Sequence, residues 1–312
     1  MSLKGTRDAY GEWLNEKGSN TNIAVVDADL SASTRTYKFA ELYPDRFFDV
    51  GAAEQNLVAF ASGLALGGKK VFASSFAYFQ TGRAWDQVRN LVAHDNLDVQ
   101  LVASHGGLSC ASDGASHQAI EDLAITRVIP NLKVVVPCDA EETKNSLDTF
   151  MEIKGPSYMR LRREKEPILV KNYEYQLGRI ETMRDGSDVT IAAIGSQVYS
   201  AMEAAGKLAE LDIDAEVLNV HTLKPLDKDA LVKSAIKTGR VVSTEQHQVN
   251  GGLGGAIAET LSENYPTPLK IMGVNDVFGE SARTIDELIA YYELTPDHII
   301  DAAQKLIEKT RK

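Results

Sequence analysis

His105, Asp113 and His117 share one short Gly/Ser-rich segment, residues 105–118, HGGLSCASDGASHQ. Imidazoles titrate near neutrality and a carboxylate accepts hydrogen bonds from hydroxyls, so this trio suits proton handling on a polyhydroxylated substrate. The segment follows directly on the apolar β-branched run 99–103. Loops leaving strand ends are where catalytic groups concentrate. One histidine in such a stretch reads as a polar surface turn; three groups together read as a site.

Glu54 is a second candidate, in residues 47–63, FFDVGAAEQNLVAFASG. It follows a strand and a small-residue turn and stands at or near the first turn of an apolar helix, where an anion is favoured in any case. The flanking Gly51-Ala52-Ala53 and the apolar run 57–61 make burial the expectation. A carboxylate buried there is a candidate proton donor or acceptor. Residues 74–86, SSFAYFQTGRAWD, gather Phe76, Tyr78, Phe79 and Trp85 in a chain with 7% aromatics. Aromatic edges at a strand-to-helix junction form a flat slot for a planar heteroaromatic ring. Core packing is the expectation for Tyr78 and Trp85. Residues 251–255, GGLGG, precede a helix as an anion cradle would, but Ile257 holds the third glycine's place in G-x-G-x-x-G. Tight helix–strand packing is expected there instead.

The elements that must position these groups alternate along the chain. Apolar runs at 23–26, 70–73, 99–103 and 133–136 read as strands, and 6–17, 54–66, 83–93, 119–126 and 140–153 as helices. Near-continuous apolar strands spaced by helices predict a parallel sheet covered on both faces. The first α/β domain spans residues 1–170, and the charged, tyrosine-bearing tract 171–184 reads as a linker. Residues 185–312 repeat the pattern as a smaller doubly wound domain. Its strands fall at 189–194, 215–220, 240–244 and 269–273, and its helices at 197–210, 228–238, 255–264, 284–291 and from about Pro296 onward.

Composition narrows the partners. A formal net charge of −11 over 312 residues, with no long Lys/Arg run, argues against nucleic acid or an anionic membrane. Any phosphate site must be local. Cys110 and Cys138 lack C-x-x-C spacing and flanking histidines, so two free thiols in a reducing cytoplasm are expected, with no metal site. Neither a signal peptide nor a run of ~18 apolar residues is evident. The protein is expected in the cytoplasm.

Four segments in order, GAAEQN, SSFAYF, HGG…DGASHQ and RVIPNLKVVVP, resemble the pyrimidine-binding and C-terminal domains of transketolase, a thiamine diphosphate family. The resemblance covers essentially the whole chain. It implies that Glu54 protonates the cofactor's aminopyrimidine ring, that Phe76 and Phe79 flank that ring, and that Asp29 lies beside the cofactor. By the same resemblance His105 and His117 orient donor hydroxyls and move protons, Asp113 binds a donor hydroxyl, and Arg7, Ser33 and Arg163 hold the sugar phosphate.

Three departures stand out. Ala53-Glu54-Gln55 replaces the family's Arg-Glu-His and is closer to 1-deoxyxylulose-5-phosphate synthase, and Gly82 stands near a third aromatic of some members. The Gly-Asp-Gly…Asn motif that binds Mg²⁺ (or Ca²⁺) and the diphosphate is missing from the chain. The resemblance therefore implies a split transketolase, with a separate N-terminal subunit supplying the diphosphate-binding domain and its metal, naturally as α2β2. The expected reaction moves a two-carbon ketol unit from a ketose phosphate to an aldose phosphate, in the pentose phosphate pathway or a specialised sugar pathway. The alternatives are a 1-deoxyxylulose-5-phosphate synthase-like enzyme, a 2-oxoacid dehydrogenase beta-subunit-like enzyme, and a non-catalytic regulatory subunit.

Overall fold

Every residue of the runs Ile23–Asp27, Lys70–Phe76 and Val99–Ser104 is buried, as central parallel strands covered by helices on both faces must be. In the computed structural model, which describes residues 3–169 and 174–310, they form the middle of a seven-stranded sheet. Its order is Thr222–Lys224, Lys133–Val135, Ser157–Arg160, Val99–Ser104, Lys70–Phe76, Ile23–Asp27 and Phe47–Asp49. Six of these strands are parallel. The seventh, Thr222–Lys224, comes from the second half of the chain and runs antiparallel to Lys133–Val135. The second domain thus completes the first domain's sheet.

Register puts the loops that matter at one edge. Asp27 pairs with Asp49 and Ser74, and Phe76 with Ser104, so four strands end together. In open α/β sheets, the crevice outside the carboxyl ends of the strands is where ligands bind. The helix Thr6–Lys17 is anchored behind that edge. Its Tyr10, Trp13 and Leu14 are buried, Trp13 packs on Phe72 with ring centroids 5.2 Å apart, and Tyr10 Oη lies 2.8 Å from Ser74 Oγ. Burial of such side chains stabilises by roughly 1.5–3 kcal/mol each, which fixes the helix that carries Arg7 in its first turn.

The second sheet has the order Leu269–Val274, Val241–Gln248, Val189–Ala193, Ala215–Asn219 and Glu181–Arg184, with only the last pairing antiparallel. The C-terminal helix Pro296–Thr310 buries Ile299, Ile300, Ala303, Leu306 and Ile307, the i, i+3, i+4 spacing of one helix face.

Several elements differ from expectation. The helix expected at 83–93 starts earlier, as a π-helical turn Phe79–Arg83, and continues through Trp85–Gln87 into a second π turn, Val88–Ala93. Such turns cluster at functional sites. The helix expected from 119 begins only at Asp122, because Ala119 bridges Gly106 and Gly107. The helix after the glycines starts at Leu253. Ser157–Arg160 was not evident as a strand because its ends are polar. Both ends are nonetheless buried and bonded, Ser157 to Gln100 and Arg160 to Gln246. Of the tract 171–184, residues 171–173 lie outside the described residues, and Glu181–Arg184 forms an edge strand of the second sheet.

Candidate active site

Phe76 ends a central strand and Phe79 follows within one turn, so their rings stack, with centroids 5.7 Å apart and planes 24° apart. Both are 8% exposed. The neighbouring strand ends at Ser104, and the next residue turns out of the sheet: His105 has φ +60, a left-handed conformation uncommon outside glycine. Its ring lies over Phe76, centroids 3.8 Å apart, and Ser104 Oγ is 2.8 Å from its Nδ1. His117 stands edge-on to Phe79 at 5.0 Å, with Ser116 Oγ 2.9 Å from Nδ1. Two aromatics and two imidazoles form one wall.

Glu54 is the first residue of the helix Glu54–Leu66 and only 6% exposed. Its carboxylate accepts from Arg83 Nη1, 3.3 Å from each oxygen, and the same guanidinium lies 4.0 Å above the Phe79 ring. Glu54 is therefore continuous with the aromatic wall.

On the other side of His105 lie the cations. Arg7 donates from Nη1 to the Ser33 carbonyl at 3.0 Å, and Arg163 Nη1 lies 4.0 Å from Asp113 Oδ2. Burial is the main cause that pushes the His105 imidazole down to about 3, followed by the charges of Arg7, Arg163, His117 and Arg35. His105 is thus neutral at physiological pH, able to donate and accept. Arg163 is exposed while its neighbours Arg160 and Arg162 are buried, so the outward arginine of the cluster is the one facing Asp113.

The loop is fastened to the second domain. Ala282 donates to the Ala111 carbonyl at 2.9 Å, Gln118 Nε2 to the Glu280 carbonyl at 2.8 Å, and Gln248 to the Ile120 carbonyl at 2.8 Å.

All ten residues carried by the resemblance lie at this one edge, and nine of them are linked by the contacts above. Asp29 stands apart from the chain of contacts: it is exposed, at φ +61, and its amide donates to Asp49 Oδ1 at 3.0 Å. Ser33 enters through its carbonyl. Tyr78, expected in the core, is instead 37% exposed, because only Phe76 and Phe79 face inward at this turn. Trp85 packs against the core and donates from Nε1 to the Ile125 carbonyl at 2.9 Å. At the glycines, the Glu245 carboxylate accepts from the amides of Leu253 and Gly254, so the chain's own anion fills that helix end, and Gly254 packs against Ile271. Arg83 and Arg35 were not singled out. The i, i+4 spacing of Arg83 from Phe79 was the available signal for the first.

Residues 4–167 match the transketolase pyrimidine-binding domain, and residues 178–299 match the transketolase C-terminal domain. The chain belongs to the transketolase family. It is 45% identical over 314 aligned residues to a putative transketolase C-terminal section of Methanocaldococcus jannaschii, covering 99% of this chain and 97% of that one. It is 42% identical to the SqwH subunit of a 6-deoxy-6-sulfo-D-fructose transketolase from Clostridium sp. (strain MSTE9), covering 97% and 94%. A solved split-gene transketolase, described as an inactive beta4 tetramer, superposes with a TM-score of 0.90 at 46% identity, covering 98% and 99%. Among the described residues of this transketolase-family chain, no cluster of three or more His, Cys, Asp or Glu side chains is placed to hold a metal. Nor is any helix among them long and apolar enough to cross a membrane.

Proposed function

We propose that this chain is the C-terminal subunit of a split transketolase, transferring a two-carbon ketol unit from a ketose phosphate to an aldose phosphate with thiamine diphosphate. The observation that carries the reading is the buried Glu54 carboxylate beside the stacked Phe76–Phe79 pair, on the same edge as His105 and His117. An aminopyrimidine ring needs a carboxylate partner and aromatic faces. This donor set fits it.

Thiamine diphosphate, when bound, supplies the carbon nucleophile and the electron sink for breaking and forming the C–C bond. Glu54 holds or releases a proton at its carboxylate oxygen, and the two phenylalanines orient the ring and exclude water. His105, neutral and buried, accepts or donates a proton at Nε2 while Ser104 occupies its Nδ1 side. His117 orients donor hydroxyls, Asp113 accepts from one of them, and Arg7, Arg163 and the Ser33 hydroxyl receive the terminal anion, with the Ser33 carbonyl holding Arg7 in place. Asp29 flanks the cofactor side of this edge. The SqwH relative belongs to a transketolase of a sulfo-sugar. A sulfonate and a phosphate present similar oxygens to arginine, so an anionic sugar end is the shared requirement.

The sequence contains no Gly-Asp-Gly…Asn segment, which supports a partner N-terminal subunit that binds the diphosphate through Mg²⁺ or Ca²⁺, in an α2β2 assembly. Residues 1–170 serve as the pyrimidine domain and 185–312 as the C-terminal domain, joined by 171–184, in a cytoplasmic enzyme. Ala53-Glu54-Gln55 favours one second reading, a 1-deoxyxylulose-5-phosphate synthase-like enzyme, for which release of CO₂ from pyruvate is the signature.

The test is to screen ketose phosphates with thiamine diphosphate and Mg²⁺, using the chain alone and then co-expressed with a Gly-Asp-Gly…Asn subunit from the same genome. Ketol transfer only in the mixture is expected. Full turnover by the isolated chain, with host transketolase excluded, would overturn the split-enzyme reading.

A further inference from the structure

Behind the histidine loop lies a buried ionic chain that the proposed reaction does not use. Arg160, at the end of the strand Ser157–Arg160, is 5% exposed. Its Nη1 lies 3.4 Å from Asp122 Oδ1, and Asp122 Oδ2 accepts from Tyr158 Oη at 2.6 Å. Its Nη2 donates to the main-chain carbonyl of Gln246, in the C-terminal domain, at 2.5 Å. The Gln246 side chain in turn accepts from the Leu108 amide at 3.4 Å and donates to Ser196 Oγ at 3.0 Å.

The arginine stem is the floor of the turn His105-Gly106-Gly107. A Cβ added at Gly106 would stand 2.3 Å from Arg160 Cγ, and one at Gly107, itself at φ +63, would stand 2.2 Å from Nη2. Glycine is required at both positions because the guanidinium side chain lies flat against them. The next residue brackets the same turn. Leu161 donates to the Ala103 carbonyl at 2.7 Å and accepts from the Gly106 amide at 2.9 Å, so Ser104 and His105 are held between two fixed bonds and His105 turns outward. Outward is toward Phe76, over which the His105 ring lies.

We propose that Arg160 is a positioning residue: clamped between Asp122 and the Gln246 carbonyl, it supports the His105-Gly106-Gly107 turn and lets the C-terminal domain aim the His105 imidazole. This assignment rests on the reading that His105 acts on the substrate. It also gives the C-terminal domain a role in catalysis without any contact to substrate.

Removing Arg160 alone would leave Asp122 buried without its cation, so the informative variant is Arg160→Met with Asp122→Asn, which keeps bulk and removes both charges. Arg160→Lys is the companion, keeping the charge toward Asp122 but losing the planar second donor toward Gln246. The first readout is independent of turnover: histidine-ring NMR of the isolated chain from pH 8 to pH 5, with assignments from His105→Gln and His221→Gln. In the wild type, His105 should show a ring-current shift from Phe76 and no protonation in this range, since burial holds it down to about 3. In both variants the ring-current shift should shrink and His105 should begin to titrate, while His221, buried against Tyr175 in the second domain, stays unchanged as the fold control. If His221 moves as well in the double variant, that variant has lost its fold and Arg160→Lys decides. The second readout is kinetic, with the partner subunit. A kcat lowered about 10²-fold is expected, the scale on which small misplacements of catalytic groups act. The KM for the ketose phosphate should change by less than about twofold, since Arg160 supports His105 and takes no part in the substrate's anion site. An unchanged His105 signal in folded variants, or a kcat within about twofold of wild type, overturns the proposal. A wild-type mixture that transfers no ketol unit overturns the functional reading instead, and the NMR comparison still decides what Arg160 positions.

Discussion

Arg83 donates from Nη1 to both carboxylate oxygens of Glu54, at 3.3 Å each. The same guanidinium covers the Phe79 face at 4.0 Å. It therefore lies against both the acceptor and the aromatic surface that an aminopyrimidine ring would use, and competes with such a ring for them.

Two substitutions test this pairing. Glu54→Gln, nearly isosteric, should abolish ketol transfer and proton exchange at C2 of thiamine diphosphate in the assembled enzyme. NMR exchange at wild-type rate would reduce Glu54 to a helix-end residue. Arg83→Ala should tighten thiamine diphosphate binding, by no more than about fivefold, because an arginine this exposed holds its partner by at most ~1 kcal/mol. Weaker binding, measured by calorimetry, would make Arg83 a support of Glu54 and no competitor.

His105→Ala and His117→Ala should each lower kcat with little change in KM. The expected loss is roughly 10²–10⁴-fold for a full general acid–base and less for a residue that only orients hydroxyls. Asp113, exposed and 4.0 Å from Arg163, has a different task. Its replacement by Ala should relax selectivity between donor epimers, measured as a ratio of kcat/KM. Wild-type kinetics in all three variants would leave only a polar turn.

Arg7→Ala and Arg163→Ala should raise KM for phosphorylated sugars by at least about tenfold, since a charge-assisted hydrogen bond contributes ~1.5–3 kcal/mol. Hydroxypyruvate, which lacks the phosphate, should be used almost as before. Arg163 is exposed, so its loss should leave the melting temperature unchanged, whereas half-buried Arg7 also anchors the Ser33 carbonyl. Equal losses on both substrates would assign these arginines to the fold.

Burial pushes His105 down to about 3 and His221 down to about 4, from the usual value of 6.5. Because each folded pKa lies below the unfolded one, the unfolded chain binds more protons between these values, and stability rises with pH there. The contribution is complete above about pH 6.5 and is lost as pH falls toward 3–4. Each fully linked histidine contributes a slope of about 1.4 kcal/mol per pH unit. Urea unfolding at pH 7 and pH 5 should show the loss, and His221→Asn should reduce it. A free energy of unfolding independent of pH across this window would contradict the burial of both imidazoles.

What the sequence determined by itself was the family, the candidate residues and the rough scaffold. The central strands read clearly because parallel strands covered on both faces are largely apolar, and the runs 23–26, 70–73 and 99–103 are mostly so; the buried polar residues that end them, Asp27, Ser74, Ser75 and Ser104, carried no such signal. His105, Asp113 and His117 were legible because they fall in one loop, and Glu54 because it opens a helix after a turn. Tertiary structure alone decided which distant groups meet. Arg7 and Ser33 lie 26 residues apart in sequence yet form one contact, and Arg160 is 86 residues from Gln246. Such pairings depend on strand order, and strand order is set by long-range packing that no local pattern encodes. The same reason hid Ser157–Arg160, whose polar ends become acceptable in a core only once Gln100 and Gln246 are placed beside them. It hid Thr222–Lys224 too, a strand of the second domain that finds its partner in the first. Left-handed backbone at His105 was beyond sequence as well, because it follows from the two bonds of Leu161 and the arginine packed beneath the turn.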